Sequence, residues 1–85
     1  MAYRVDIESG ARRSLRKLPS VVQRRIVEAA CRLADNPRPP GCIKLQAEEN
    51  AWRIRVGDYR IIYEIHDTVL LVLVIRIDHR RNVYR

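Results

Sequence analysis

The chain is 85 residues long, enough for one compact domain but not for a second core or a large cofactor cleft. Hydrophobic residues make up 47 % of it, so a core can form and the 32 % charged fraction does not signal disorder. The net charge of +7 is carried almost wholly by arginine, with only Lys17 and Lys44 among the 17 basic residues, which calls for an acidic partner held by planar, bidentate guanidinium contacts.

Residues 2–8 alternate apolar Tyr3, Val5 and Ile7 with polar Arg4, Asp6 and Glu8, the period of a half-buried strand that Ser9-Gly10 ends. Ala11, Leu15 and Leu18 then recur at helical spacing, with Arg12, Arg13, Arg16 and Lys17 around the rest of the surface, and Pro19 closes this first helix. Ser20 and Gln23 have the spacing of a capping box, which predicts a second helix from Ser20 to about Asp35. Val22, Ile26, Ala29, Ala30 and Leu33 form its apolar face, and Arg24, Arg25, Glu28, Arg32 and Asp35 its polar one. Asn36-Pro37-Arg38-Pro39-Pro40-Gly41 cannot continue a helix and reads as a stiff connector within one domain.

Beyond the connector the pattern is β. Ala51 to Val56 and Tyr59 to His66 each alternate, and the two residues between them, Gly57-Asp58, suit a tight hairpin turn. That loop fixes the pairing: Val56 opposite Tyr59, Arg55 opposite Arg60, Ile54 opposite Ile61, Trp52 opposite Tyr63. A third strand, Val69 to Ile77, is apolar at nearly every position, as in a central strand covered on both faces. Asp78 to Arg85 follows as a basic tail.

Arg55 and Arg60, directly opposite one another, are a like-charge pair that costs stability unless an anion sits between them. Arg53 lies one step along on the same face, and the end of the third strand brings His79, Arg80, Arg81 and Tyr84 toward the cluster. Together they read as a phosphate-binding patch with one imidazole able to move a proton near neutral pH. The plainer reading is that sheet-surface arginines serve solubility while their stems cover apolar surface. For three of them packed on one hairpin, function is the better account. Tyr84 can stack on a base, hold a phosphate oxygen or pin the tail to the sheet. His66, at a turn, reads as an ordinary surface histidine, and the helical cluster Arg12, Arg13, Arg16, Lys17, Arg24 and Arg25 as a solvated face.

Several chemistries are absent from the pattern. Cys31 and Cys42 lack a zinc-ligand spacing and lie far in sequence from His66 and His79, so no metal site is argued. Phe is absent and Trp52 is the single Trp, unlike a basic membrane-binding segment. With no signal-type segment and no run of about 18 apolar residues, a cytoplasmic protein with reduced thiols is expected.

The segment Trp52-Arg53-Ile54-Arg55-Val56-Gly57-Asp58-Tyr59-Arg60-Ile61-Ile62-Tyr63-Glu64-Ile65, followed by an apolar strand and His79-Arg80-Arg81-Asn82-Val83-Tyr84-Arg85, resembles the RelE branch of the RelE/ParE toxin superfamily. Arg16-Lys17-Leu18-Pro19 before the second helix, and Asn36-Pro37 followed by Lys44-Leu45, are similar to it too, so the resemblance spans essentially the whole chain in family order. It implies a single α+β domain over residues 1–85, an N-terminal strand and a two-helix hairpin packed on a small antiparallel sheet, the RelE-like microbial RNase fold.

It also implies a toxin of a type II toxin–antitoxin pair that cuts mRNA in the ribosomal A site without metal or cofactor, by attack of the 2′-hydroxyl on the adjacent phosphate. The partners implied are a cognate RelB-like antitoxin, mRNA on the ribosome, and operator DNA only through the antitoxin complex, with no membrane. Carried over by position, the catalytic set is Arg55, Arg60, Arg80 and Tyr84, with Arg53, Arg81 and Lys44 contacting RNA. Well-studied members of the family have lysines where this chain has Arg53 and Arg55, and a guanidinium is a poor base. His79 is therefore the expected proton carrier. Leu71, Leu73 and Ile75, expected to be exposed beside the arginines, are the candidate antitoxin surface. On the same fold, a ParE-like inhibitor of DNA gyrase and a catalytically weak module acting mainly in the antitoxin and DNA complex remain the alternatives.

Overall fold

The computed structural model describes residues 2–46 and 50–79. In chain order these form β1 (Arg4–Ile7), α1 (Ser9–Arg16), α2 (Ser20–Arg32), β2 (Ile43–Lys44), β3 (Ala51–Val56), β4 (Tyr59–His66), a 3-10 turn (Asp67–Val69) and β5 (Leu71–His79). The five strands make one sheet in the order β1-β5-β4-β3-β2. The helices pack on one face of it, and no helix is long and apolar enough to cross a membrane.

The helical stripes meet the apolar strand positions as the sequence periods require. Ala11 and Leu15 of α1, Ile26 and Ala30 of α2, and Leu33 just beyond it bury against Ile61, Tyr63 and Ile65 of β4 and Val72, Val74 and Ile77 of β5. Strand β4 is the middle strand of the five, so the centre is not β5, as its apolar run had indicated. One pairing is parallel: β1 runs alongside β5, with Val5 opposite Val72 and Ile7 opposite Val74. The other three strand pairs are antiparallel. The two-residue strand β2 has no periodicity to reveal it.

Two boundary expectations are corrected. The Ser20–Gln23 capping box does not form, because Pro19 is the N-cap and Ser20 already lies inside the helix. Gln23 instead donates from Nε2 to the Leu18 carbonyl, 2.8 Å away. The second helix ends at Arg32, not near Asp35, because the chain tightens into turns, with the N–H groups of Ala34 and Asp35 bonding the carbonyls of Cys31 and Arg32.

The proline connector is fastened to the sheet by side chains distant in sequence. Fully buried Tyr63 donates its hydroxyl to the Pro37 carbonyl at 2.7 Å, and burial, reinforced by Cys42, pushes the phenol well above its ordinary pKa so that it remains a neutral donor. Next along, the Arg38 guanidinium lies over the Trp52 ring, 5.1 Å from its centroid. The same guanidinium pairs with Asp67 at 3.0 Å, and Tyr3 donates its hydroxyl to that carboxylate at 2.6 Å. The Arg38 hydrogen bond, then that from Tyr3, holds the Asp67 carboxyl below its ordinary range.

Tyr63→Phe removes one donor from a buried carbonyl, and urea unfolding is expected to show a loss of about 1–3 kcal/mol with an unchanged m-value. Because the Asp67 pKa is lower folded than unfolded, its contribution is complete above the unfolded value of about 3.9 and is lost as pH falls through the folded value. Asp67→Asn should therefore flatten the stability profile below about pH 4, and an unaltered acid limb would remove Asp67 from the linkage.

Candidate functional site

The hairpin register is the one the sequence predicts: Val56 opposite Tyr59, Arg55 opposite Arg60, Ile54 opposite Ile61 and Trp52 opposite Tyr63. Gly57 turns the corner at a φ of 60°, which explains the glycine. Strand alternation puts Trp52, Ile54 and Val56 toward the helices, and Arg53, Arg55 and Arg60 on the opposite, open face. Arg55 is exposed, whereas Arg60 is only 4 % accessible, the single buried charged side chain among the described residues. The two line a common recess of about 20 Å³ with Gly57, Asp58 and Tyr59. Arg53, half-buried, sits across from buried Ile62.

Strand β5 supplies what the sequence reading left out. Between the pairs Tyr63–Val74 and Ile62–Arg76 the register shifts, so Ile75 has no residue opposite it on β4. Before this irregularity Val72 and Val74 face the helices; after it, Ile77 does, and Arg76 and Asp78 move to the arginine face. Asp78 thus stands directly across from Arg60, with its carboxylate 2.9 Å from the Arg76 guanidinium. A carboxylate beside the Arg55–Arg60 pair offsets part of the repulsion that the hairpin alone would suffer.

The same shift corrects the expectation for His79. Uninterrupted alternation from Leu71 would carry His79 to the arginine face, but it lies opposite Tyr59 on the helix side, ring against ring at 5.0 Å and 88°. His66 does share the arginine face, hydrogen-bonded to Glu64 at 2.9 Å, but it lies six residues from Arg60, about 20 Å along the strand. Lys44 is opposite Trp52, which turns it to the helix side and away from Arg53. Leu71, Leu73 and Ile75 lie half-buried, the first two facing away from the helices among Arg4, Asp6, Glu64 and His66. They neighbour mixed charge instead of the arginine cluster. Arg80, Arg81 and Tyr84 lie outside the described residues.

The described site is therefore an open sheet face on which Arg55 and Arg60 converge, flanked by Arg53 and by the Arg76–Asp78 pair. Positive charge on a concave, partly desolvated surface suits a phosphodiester, and guanidinium groups supply bonds to its non-bridging oxygens. Replacing Arg55 by Thr should relieve the like-charge contact, raising stability by about 0.2–1 kcal/mol in dilute buffer. Repeating the melt near 1 M salt should shrink that gain, since screening then acts over about 3 Å; a gain indifferent to salt would mean that repulsion is not its source.

Comparison with known proteins gives a consistent picture. Residues 5–84 match the family model described as the ParE toxin of the type II toxin–antitoxin system parDE. Toxin RelG of Mycobacterium tuberculosis is 35 % identical over 86 residues, covering 100 % of this chain and 99 % of that one. The mRNA interferase toxin RelE of Escherichia coli is 27 % identical over 90 residues, covering 96 % of this chain and 87 % of its own. Among solved structures, the toxin–antitoxin complex RelBE2 of M. tuberculosis contains a chain that superimposes with a TM-score of 0.84 at 34 % identity, covering 94 % of this chain and 93 % of that chain. With a family model over nearly the whole length and this fold, the chain belongs to the ParE toxin family within the RelE/ParE superfamily and is a RelE-type toxin of a toxin–antitoxin system.

Proposed function

We propose that this toxin is a ribosome-dependent endoribonuclease that cleaves mRNA in the A site and is neutralised by a cognate RelB-like antitoxin. The observation that carries the reading is the convergence of Arg55 and buried Arg60 on one recess of the open sheet face. The naming of a relative as an mRNA interferase supports it.

In the proposed reaction the 2′-hydroxyl oxygen attacks the adjacent phosphorus and the P–O5′ bond breaks, leaving a 2′,3′-cyclic phosphate and a 5′-hydroxyl. The 2′-hydroxyl proton must be taken up, and the departing 5′-oxygen must receive one. Arg55 and Arg60 fit the remaining task, holding the non-bridging oxygens as charge builds on the pentacoordinate phosphorus. Burial makes Arg60 the stronger element, because its field is less screened than that of an exposed arginine. Arg53 would hold the next stretch of backbone. Guanidinium groups do not accept protons, so proton transfer falls to other groups. The geometry of His79, turned to Tyr59, does not favour it for that role. Arg80 and Tyr84 are the residues that the family resemblance assigns to the reacting phosphate.

Translating ribosomes carrying a defined mRNA, read by primer extension, test the proposal. Cuts in A-site codons are expected, with Arg60→Ala slowing them about 10²–10³-fold and His79→Ala leaving the rate within a few-fold. A loss of about 10²-fold or more with His79→Ala would return proton transfer to the imidazole. Absence of cuts with loss of gyrase supercoiling would replace the nuclease by the gyrase inhibitor, and neither effect would leave a module acting only in the antitoxin complex.

A further inference from the structure

A second surface adjoins the arginine face. Along the outer edge of β3 runs a trough of about 710 Å³, with carbon-rich walls from Ala29, Leu33, Pro39, Ile43 and Ile54. Its charged lining is wholly basic: Arg32 from the helix and Arg53 and Arg55 from the strand. Past Arg32 and Arg55 it borders a recess of about 290 Å³ that Arg25 and Glu28 also line. The ion pairs among the described residues join Arg4 to Asp6, Arg38 to Asp67, His66 to Glu64 and Arg76 to Asp78. None engages Arg32, Arg53 or Arg55.

The trough also has an open hydrogen-bonding edge. The Leu45 N–H bonds the Ala51 carbonyl at 2.9 Å, so the backbone groups of Ala51, Arg53 and Arg55 all point to this side of β3. Strand β2 begins at Ile43, opposite Arg53, and leaves the edge beyond it uncovered at Arg55 among the described residues. A chain laid there in extended form would send alternate side chains to the helix side, over Ala29, Leu33 and Ile54, and to the arginine side.

We propose that this trough seats an extended antitoxin segment of alternating apolar and acidic residues, added to the edge of β3. Its apolar side chains fill the carbon-rich floor, and its carboxylates pair with Arg32, Arg53 and Arg55. The inference rests on the reading of the chain as an RNase held in check by an antitoxin, and it deepens that reading by specifying how the check works. Arg53 and Arg55 belong to both surfaces, so a carboxylate bound to them withdraws them from phosphate, and partner and RNA exclude one another by charge without any change of fold. A nucleic acid is the poorer occupant, since a phosphodiester has no use for a floor of Leu, Ile and Pro side chains.

The probe is a short fluorescein-labelled peptide alternating Leu and Glu, titrated into the full-length protein, with a Leu/Gln peptide and a Leu/Lys peptide as controls. Amide resonances of Ala29, Ile43 and Ile54 are expected to shift. Arg32→Glu should weaken the Leu/Glu peptide roughly fivefold or more, with Arg32→Gln intermediate. A fully 2′-O-methylated RNA oligonucleotide should displace it, while Arg32→Glu leaves ribosome-dependent cleavage within twofold. No binding, equal binding of the Gln or Lys peptide, or shifts away from the trough would overturn the proposal. An RNA oligonucleotide that shifts the same amides and itself weakens with Arg32→Glu would assign the trough to nucleic acid. The cleavage assay reads separately, so a failed trough leaves the nuclease standing, and a failed nuclease leaves peptide binding measurable.

Discussion

Strand β5 changes face at Ile75, and the chemistry of the open face depends on that single irregularity. Side chains on a strand alternate strictly, so an extra residue on one strand of a pair transposes everything beyond it. Here it keeps Val72, Val74 and Ile77 together in the core although the last two are three residues apart. It delivers Asp78 to the flank of Arg60 and turns His79 toward Tyr59. Without it, Ile77 would face solvent beside the arginines, and Arg76 and Asp78 would have to enter the core without compensation, at a cost of several kcal/mol. The apolar core fixes where β5 must shift, and the electrostatics of the site follow.

That dependence separates what was legible in the residues from what was not. The β3–β4 hairpin was legible in full, because a two-residue turn sets the register locally and alternation then decides each face. Arg53, Arg55 and Arg60 could be grouped from sequence for that reason. The irregularity at Ile75 could not, since an apolar run such as Leu71 to Ile75 offers every position as a core position and hides the slip. Its trace was nonetheless present: Arg76 and Asp78 flank Ile77, a pattern that fits only if parity has changed after Ile75. The side of Lys44 was hidden because a two-residue strand has no period. The parallel pairing of β1 with β5 and the fastening of Pro37 and Arg38 by Tyr63, Trp52 and Asp67 arise between residues far apart in the chain, where neither spacing nor propensity speaks.

The proline connector has a role of its own in placing the site. A segment with three prolines donates few backbone hydrogen bonds, so it is held from outside, by the Tyr63 hydroxyl on a carbonyl and by a guanidinium stacked on Trp52 and paired to Asp67. These attachments come from β1, β3, β4 and the turn before β5, and so tie the connector to the sheet at several points. Held in this way, Pro39 and Ile43 form one wall of the trough along β3. Stability and surface are thus produced by the same contacts, with the buried phenol at their centre.

The excess of positive charge takes on a specific meaning once the arginines are placed. Arg38 and Arg76 are spent on internal pairs that hold the connector and the end of β5. Arg53 and Arg55 are not, and they border two surfaces of different character, a polar recess on the open face and an apolar trough at the edge. A cation between two such surfaces couples whatever binds them: the first anion to arrive lowers the field available to the second, by an amount set by distance and screening instead of by any movement of the chain. Buried Arg60 lies on the recess alone, and its contribution to phosphate binding is the part that an occupant of the trough does not reach directly. Control by charge would therefore act through the exposed arginines, while the buried one keeps the site poised for its next phosphate.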